Sequence, residues 1–360
     1  MKKTILILFF IVLIISTLTY GRIRKQIIDD INVVSAIGID QGEGNKVKGT
    51  AVIPVFKADK SVENETFQDE SILARELINV LQHKSADPLV TGGISVALYQ
   101  EEIARNGITE YVDSLQRDAS IGSNLFLGVV DGSTEEILTS KLGNQGVGRY
   151  LERIFEHNSE QEDLPKTILQ TFLFRFYTRG MDAYLPYIKL EGNKVKVTGL
   201  AIFKEEFMVD IIPEDDLFFF KALVERYAEG TYSIHLKDID EYASIERITS
   251  RRRIDVEEVD GDPEVNIHVY IQGVLSEFSG RKTDDKIVSQ ITKQLEDEIV
   301  QKSEGMLQRF QKINADPVGI GYMAKSSQRN FDEKKWKDGY PQVKINVEAK
   351  VDLIQTGVIE

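Results

Sequence analysis

The sequence predicts an α+β fold of mixed α/β layers, divided into three domains that each set helices against a sheet. Three observations carry this reading. The chain has 360 residues, beyond the ~250–300 at which single cores stop growing. Runs with apolar residues at every second position alternate with runs at helical spacing. Hydrophobic residues make up 42% and charged residues 28%, the balance of a folded chain with ample material to bury. The expected divisions are an N-terminal signal-like or anchor segment at 1–21, an α/β domain at 22–185, a small hairpin-and-helix domain at 186–231, and an antiparallel sheet with a long helix at 232–360.

Behind Lys2 and Lys3 runs the apolar stretch Ile5, Leu6, Ile7, Leu8, Phe9, Phe10, Ile11, Val12, Leu13, Ile14 and Ile15. Its length is that of a signal-peptide core and falls short of the ~20 residues that span a bilayer comfortably. Extended through Leu18 and Tyr20 it reaches a thin bilayer's thickness at ~1.5 Å per residue. Thr19 and Gly21 make a poor cleavage site, and Arg22, Arg24 and Lys25 nearly balance the lysines on the other side. An exported chain and an uncleaved anchor both fit.

From Ile31, "INVVSAIGID" and "KVKGTAVIPVF" joined by "QGEGN" read as a β-hairpin. In "DESILARELINVLQHK", Ile72, Leu73, Leu77, Val80 and Leu81 share one helical face, with Asp69 and Glu70 at the start and His83 and Lys84 at the end. The strand "GISVALY", the helix "ITEYVDSLQRD", the strand "NLFLGVV" and the helices "STEEILTSK" and "GRYLERIFEHN" complete a layered unit. "LPKTILQTFLFRFYT" predicts a helix with Pro165 in its first turn. A second hairpin, "KVKVTGLAIF" with "FMVDIIP", leads into the helix "EDDLFFFKALVERYAE", whose Phe218, Phe219 and Phe220 predict a deeply packed end.

Three strand-like runs follow, "SIHL", "ASIERITSRRRIDVEEV" and "EVNIHVYIQGVLSEF", with the turn "VDGDPE" between the last two. A long helix then carries Ile287, Ile291, Leu295, Ile299, Met306 and Phe310 as one stripe. The final strand alternates strictly from Val343 to Leu353.

The net charge of −14 argues against a nucleic-acid binder. Arg251, Arg252 and Arg253 form the one dense basic cluster, and they run into "IDVEEVDGD", which reads as a charge-balanced strand end. Zero cysteines remove disulfides, thiolate catalysis and Cys-ligated zinc together. His83, His157, His235 and His268 lie far apart with no metal spacing. Ser95 in "GGISVA" imitates a nucleophile elbow, but Val96 and Leu98 continue a strand where the elbow needs a helix. "GNQGVG", Gly143 to Gly148, lacks both the dinucleotide spacing and the P-loop lysine. Nothing assembles a catalytic apparatus, which shifts weight to binding or assembly.

The order of blocks is more informative than any one of them. "VVSAIGID" then "GTAVIPVF", "YLPYIKLEGNKVKVTGLAIFKEE", "ADPVGIGY" after the long helix, and finally "WKDGYP" and "VKINVEAKVDLIQTG" run collinearly from Ile28 to Gly357. The set resembles the Ger(x)C family of spore germination proteins, the C subunits of nutrient germinant receptors. That resemblance implies three α/β domains and a non-catalytic subunit without a cofactor. It implies a place on the outer face of the spore inner membrane, beside an integral-membrane A subunit and a transporter-like B subunit. It also implies a lipid-bearing cysteine whose position falls on Arg22, with Thr19, Tyr20 and Gly21 where the lipobox should stand. An arginine cannot carry the thioether, so the chain is expected either to keep Ile5–Ile15 as an uncleaved anchor or to be held by its partners. Within the family blocks, Gly38 and Gly199 are expected to serve close backbone approach, and Asp316-Pro317 a helix stop. An exported protein that captures a small nutrient itself is the second reading, and a secreted hydrolase using Ser95 the third.

Overall fold

The computed structural model describes residues 31–259, 262–281, 284–327 and 331–355. Ile5–Ile15 and Arg22 lie outside the described residues. Among those that are described, no helix is long and apolar enough to cross a membrane.

Two sheets organise the chain. A short parallel pair, β1 (Asn32–Val33) with β5 (Leu89–Val90), sits beside the larger one. That larger sheet contains β2 (Ala36–Gln41), β3 (Val47–Phe56), β4 (Val62–Ser71), β6 (Val96–Gln100), β7 (Phe126–Asp131), β8 (Tyr184–Glu191), β9 (Lys194–Lys204) and β10 (Phe207–Pro213). Their spatial order is β10-β9-β8-β7-β6-β2-β3-β4. The middle four are parallel, and antiparallel hairpins extend them on both sides. The central strands read "AIGID", "VALY" and "FLGVV" because both of their faces are covered.

On one face lie α1 (Leu77–Gln82), α2 (Glu101–Asn106), α3 (Thr109–Arg117) and α6 (Leu169–Tyr177), which pack Leu81, Ile103, Leu115 and Phe172 against Ile37, Ala97 and Leu127. On the other lie α4 (Thr134–Thr139), α5 (Val147–Glu160) and α7 (Leu217–Val224), contributing Leu138, Phe155 and Phe218–Phe220. Every side chain of α7 is buried, so the helix meets protein on all of its faces. Its lysine, Lys221, satisfies its ammonium on the carbonyls of Ser159 and Glu162 at 2.9 and 2.6 Å.

The second sheet has the order β11 (Tyr232–Leu236), β12 (Glu241–Val259), β13 (Asp262–Phe278) and β14 (Lys344–Gln355). Between β13 and β14 come α8 (Asp285–Lys312), α9 (Ile320–Ser327) and α10 (Glu333–Gly339). The stripe of α8 from Ile291 to Phe310 is buried, and it belongs to one apolar cluster that runs through α7 into the larger sheet. Asp284 caps α8 by accepting from the Ile287 amide at 3.0 Å.

Four expectations are corrected. Asp69 and Glu70 do not open a helix: they complete β4, where Asp69 pairs with Gly49 and Ser71 with Val47. Ladder bonding along the whole of β3 holds them, the helix shrinks to α1, and Ile72 and Leu73 are exposed. Pro165 precedes α6 rather than starting it, because Ile168 first bridges to Phe126. The span expected to open a middle unit at 186 begins inside β8, which is hydrogen-bonded into the first sheet with Val129 opposite Tyr187, and the expected hairpin, β9 with β10, extends that same sheet; the open edge of β7 demands a partner. Finally, the C-terminal sheet is not wholly antiparallel. β14 runs parallel to β13, since α8 carries the chain back along the sheet before the last strand begins.

Candidate interaction face on the C-terminal sheet

Along β12, β13 and β14 successive side chains point to opposite faces. Ile254, Ile267 and Val347 point inward and are buried, as are Val265, Ile271 and Val351. The outward set falls into rows fixed by the register. Thr249, Gln272 and Asp352 form one row, Arg251, Tyr270 and Lys350 the next, then Arg253, His268 and Glu348, then Asp255, Asn266 and Asn346.

Most of this face is paired within itself. Arg253 bonds Asp255 at 2.9 Å, His268 Nδ1 lies 3.1 Å from Glu348, and Lys344 and Asn346 both bond Glu264 at 2.7 Å. The Arg251–Tyr270–Lys350 row differs. Neither cationic side chain has a hydrogen bond or ion pair among the described residues, and the Tyr270 ring between them is 45% exposed. Arg226, from the loop after α7, adds a third exposed cation to the rim of a hollow of about 700 Å³ over this row. In a chain of net charge −14, three unneutralised cations around an exposed tyrosine form a local positive field suited to carboxylate-bearing surfaces.

The arginine triplet therefore splits three ways. Arg253 is balanced by its own strand, as the sequence implies, and Arg251 is free. Arg252 turns inward and donates to the Val224 carbonyl at 3.0 Å. Burial, then the nearby Arg175 charge, pulls its guanidinium below the ordinary value. Arg175 itself donates to the Pro317 carbonyl at 3.0 Å and lies over the Tyr184 ring.

Ser95 lies just before β6 and donates to the Ser35 carbonyl at 3.2 Å, with no base bonded to it among the described residues. The four histidines stay apart, and among the described residues no group of three or more His, Cys, Asp or Glu side chains is placed to hold a metal. The glycine-rich 143–148 segment joins α4 to α5, with Gly143 and Gly146 at positive φ. Two aspartates in the family blocks carry roles that the sequence did not show: Asp40 drew no expectation, and Asp316 was expected only to stop a helix. Asp40, in "AIGID", is buried and accepts from the Thr134 amide and hydroxyl and the Glu135 amide at 2.7, 2.8 and 2.9 Å. Asp316, in "ADPVGIGY", accepts from the amides of Gly319, Ile320 and Gly321 at 2.8, 3.0 and 2.7 Å. Both hold helix starts from inside the protein. Their one sequence signal is that each closes or opens an apolar run where a charge is costly.

Comparison with known proteins gives the chain its relatives. Residues 24–190 match a family model described as the spore germination protein N-terminal domain. Residues 198–357 match one described as spore germination B3/GerAC like, C-terminal. The chain is 30% identical to the spore germination protein GerQC of Bacillus cereus, over the full length of both. It is 24% identical to the putative spore germination protein YfkR of Bacillus subtilis strain 168, over 79% of this chain and 77% of that one. Among solved structures, the GerBC protein superposes with a TM-score of 0.60 at 15% identity, covering 88% of this chain and 96% of its own.

Proposed function

Because the chain belongs to the Ger(x)C family of spore germination proteins, we propose that it is a non-catalytic subunit of a membrane-associated germinant receptor. It acts in assembly or signalling when a nutrient triggers germination. Full-length identity to GerQC is the observation that carries this reading. On it, the partners are the integral-membrane A and B subunits, and the chain sits on the outer face of the spore inner membrane. Ile5–Ile15 stays uncleaved as the anchor, since Arg22 stands where a lipid-bearing cysteine would. A retained apolar segment buries enough hydrophobic area to hold far more firmly than one acyl chain, which binds only marginally. The unpaired Arg251, Arg226 and Lys350 around Tyr270 supply the surface that meets an acidic patch of a partner.

The test is to wash spore inner membranes with high salt and carbonate and to map the N-terminal peptide by mass spectrometry. Recovery in the washed membrane with Ile5–Ile15 intact is expected. A chain that begins at or after Arg22 and leaves with the wash overturns the anchor. A deletion strain lacking parallel receptors that still answers every nutrient overturns the receptor role itself.

A further inference from the structure

We propose that the hollow between the larger sheet and helices α1 and α3 is a binding site for a small zwitterion with an apolar side chain, of the class of apolar α-amino acids. The site is independent of the basic face and goes beyond the assembly role. Here a space of about 400 Å³ remains between β2 and the two helices, inside the ~300–1,000 Å³ range of ligand pockets. Its walls are Ile37 and Ile39 of β2, Leu77 and Leu81 of α1 and Leu115 of α3, all buried. Such walls take an apolar body and nothing charged.

The mouth carries both signs of charge. Arg75 Nη2 and Arg117 Nε bond the same carboxylate, Asp113, at 2.7 and 2.8 Å. Two guanidiniums on one carboxylate leave one positive charge over. The Nη nitrogens of Arg117 have no hydrogen bond among the described residues, and both arginines are exposed at the rim. Asp118, also on the rim, is fixed by hydrogen bonds from the hydroxyls of Thr91 and Ser120 at 2.7 and 2.6 Å. A ligand that satisfies the site places a carboxylate on Arg117, an ammonium on Asp118 and its side chain among the leucines. The apolar walls, rather than the volume, disfavour phosphates and polar peptides in the inner part. A purely apolar molecule leaves the charged rim unused, so the rim is what selects.

Calorimetry of the purified full chain tests this with L-leucine and L-phenylalanine as probes, beside leucinamide, which lacks the carboxylate, and N-acetyl-leucine, which lacks the ammonium. Binding of leucine or phenylalanine is expected, with each one-charge analogue at least ~10-fold weaker. Asp118→Asn should then bind leucine and N-acetyl-leucine alike, and Arg117→Ala should no longer prefer leucine over leucinamide. Leu115→Trp should fill the hollow and abolish binding. Because that core variant tests folding as well, the two rim variants decide. Absence of heat from both amino acids, equal affinity for the analogues, or affinities unmoved by the rim variants each overturn the proposal and leave the receptor role standing.

Discussion

Asp182 and Asp316 hold each other across the junction between the two sheets. The Asp182 amide donates to the Asp316 carbonyl at 2.8 Å, and the Asp316 amide donates to the Asp182 carboxylate at 2.6 Å. Asp182 lies just before β8 and Asp316 just before α9, so this pair of bonds joins the entry of one layer to the entry of another. Both carboxyls are pushed above their ordinary range, chiefly by burial. For Asp316 the amides of Gly321, Ile320 and Gly319 oppose that effect and the Asp182 charge adds to it, with a result of about 7. Tyr340, whose buried hydroxyl has no hydrogen bond among the described residues, Lys204 and Lys337 close the same cleft.

A pH dependence of stability follows. An unfolded aspartate titrates near ~3.9, so between about 4 and 7 the folded chain binds the extra proton. Stability then falls as pH rises through that window, by up to ~1.4 kcal/mol per unit for this group. Asp182, shifted the same way, adds the same sign. Thermal melts from pH 5 to pH 8 should show the midpoint falling, and Asp316→Asn should flatten the slope. An equal slope in the variant would assign the dependence to other groups.

Asp40 is expected to be among the costliest aspartates to remove. Its carboxylate serves two amides and a hydroxyl at the start of α4 from inside the fold. Asp40→Ala leaves those donors unmet and should cost about 2–3 kcal/mol, at the upper end for caps and charged hydrogen bonds. Urea unfolding of the variant beside the parent measures it, with an unchanged slope and a lower midpoint as the expected result.

How much of this was legible in the sequence depends on whether local or distant bonds decide each element. The alternation from Val343 to Leu353 and the stripe from Ile291 to Phe310 were readable because burial of one face sets both patterns. The direction of β14 was not, since periodicity is the same for parallel and antiparallel strands. Asp69 to Leu73 misled because a helical spacing of apolar residues there coincides with the end of a strand whose partner lies some twenty residues earlier. The basic face was half visible. "RRR" marks a cluster, but only register across three strands sets Lys350 beside Tyr270 and Tyr270 beside Arg251, while Arg252 turns away. Asp316 looked like a helix stop and is a buried cap; its capping amides are close in sequence, whereas the bond that ties it to Asp182, more than a hundred residues away, has no local signal.

Gly199 tests the expectation of close backbone approach in its sharpest form. A Cβ there would lie 2.1 Å from the Ile212 carbonyl oxygen of the neighbouring strand. The obstacle is backbone, so β10 as a whole must move, next to a point where the register between β8 and β9 already shifts. Gly199→Ala should destabilise by about 1–3 kcal/mol, the cost of overpacking. Gly44→Ala is the contrast on the steric count, since nothing lies within 4 Å of its Cβ position. Its positive φ still costs something, and denaturant midpoints should rank Gly199→Ala as the more damaging.

The basic row gives a prediction that separates fold from partnership. Arg251 and Lys350 flank Tyr270 in adjacent strands and bond no other side chain among the described residues. Reversing both charges, Arg251→Glu with Lys350→Glu, therefore removes no hydrogen bond or ion pair among the described residues, and stability should stay within ~0.5 kcal/mol per site. Capture of partner subunits from solubilised spore membranes should fall, because a charge-reversed rim slows encounter and repels an acidic surface. The parent's capture should weaken with added salt over the range where the Debye length drops from ~10 Å to ~3 Å, and the variant's should not. Equal capture by both chains at low salt would move the contact surface away from this sheet. A loss of capture that added salt does not mimic in the parent would point to shape at Tyr270 rather than charge, and Tyr270→Ala would then be the more damaging change.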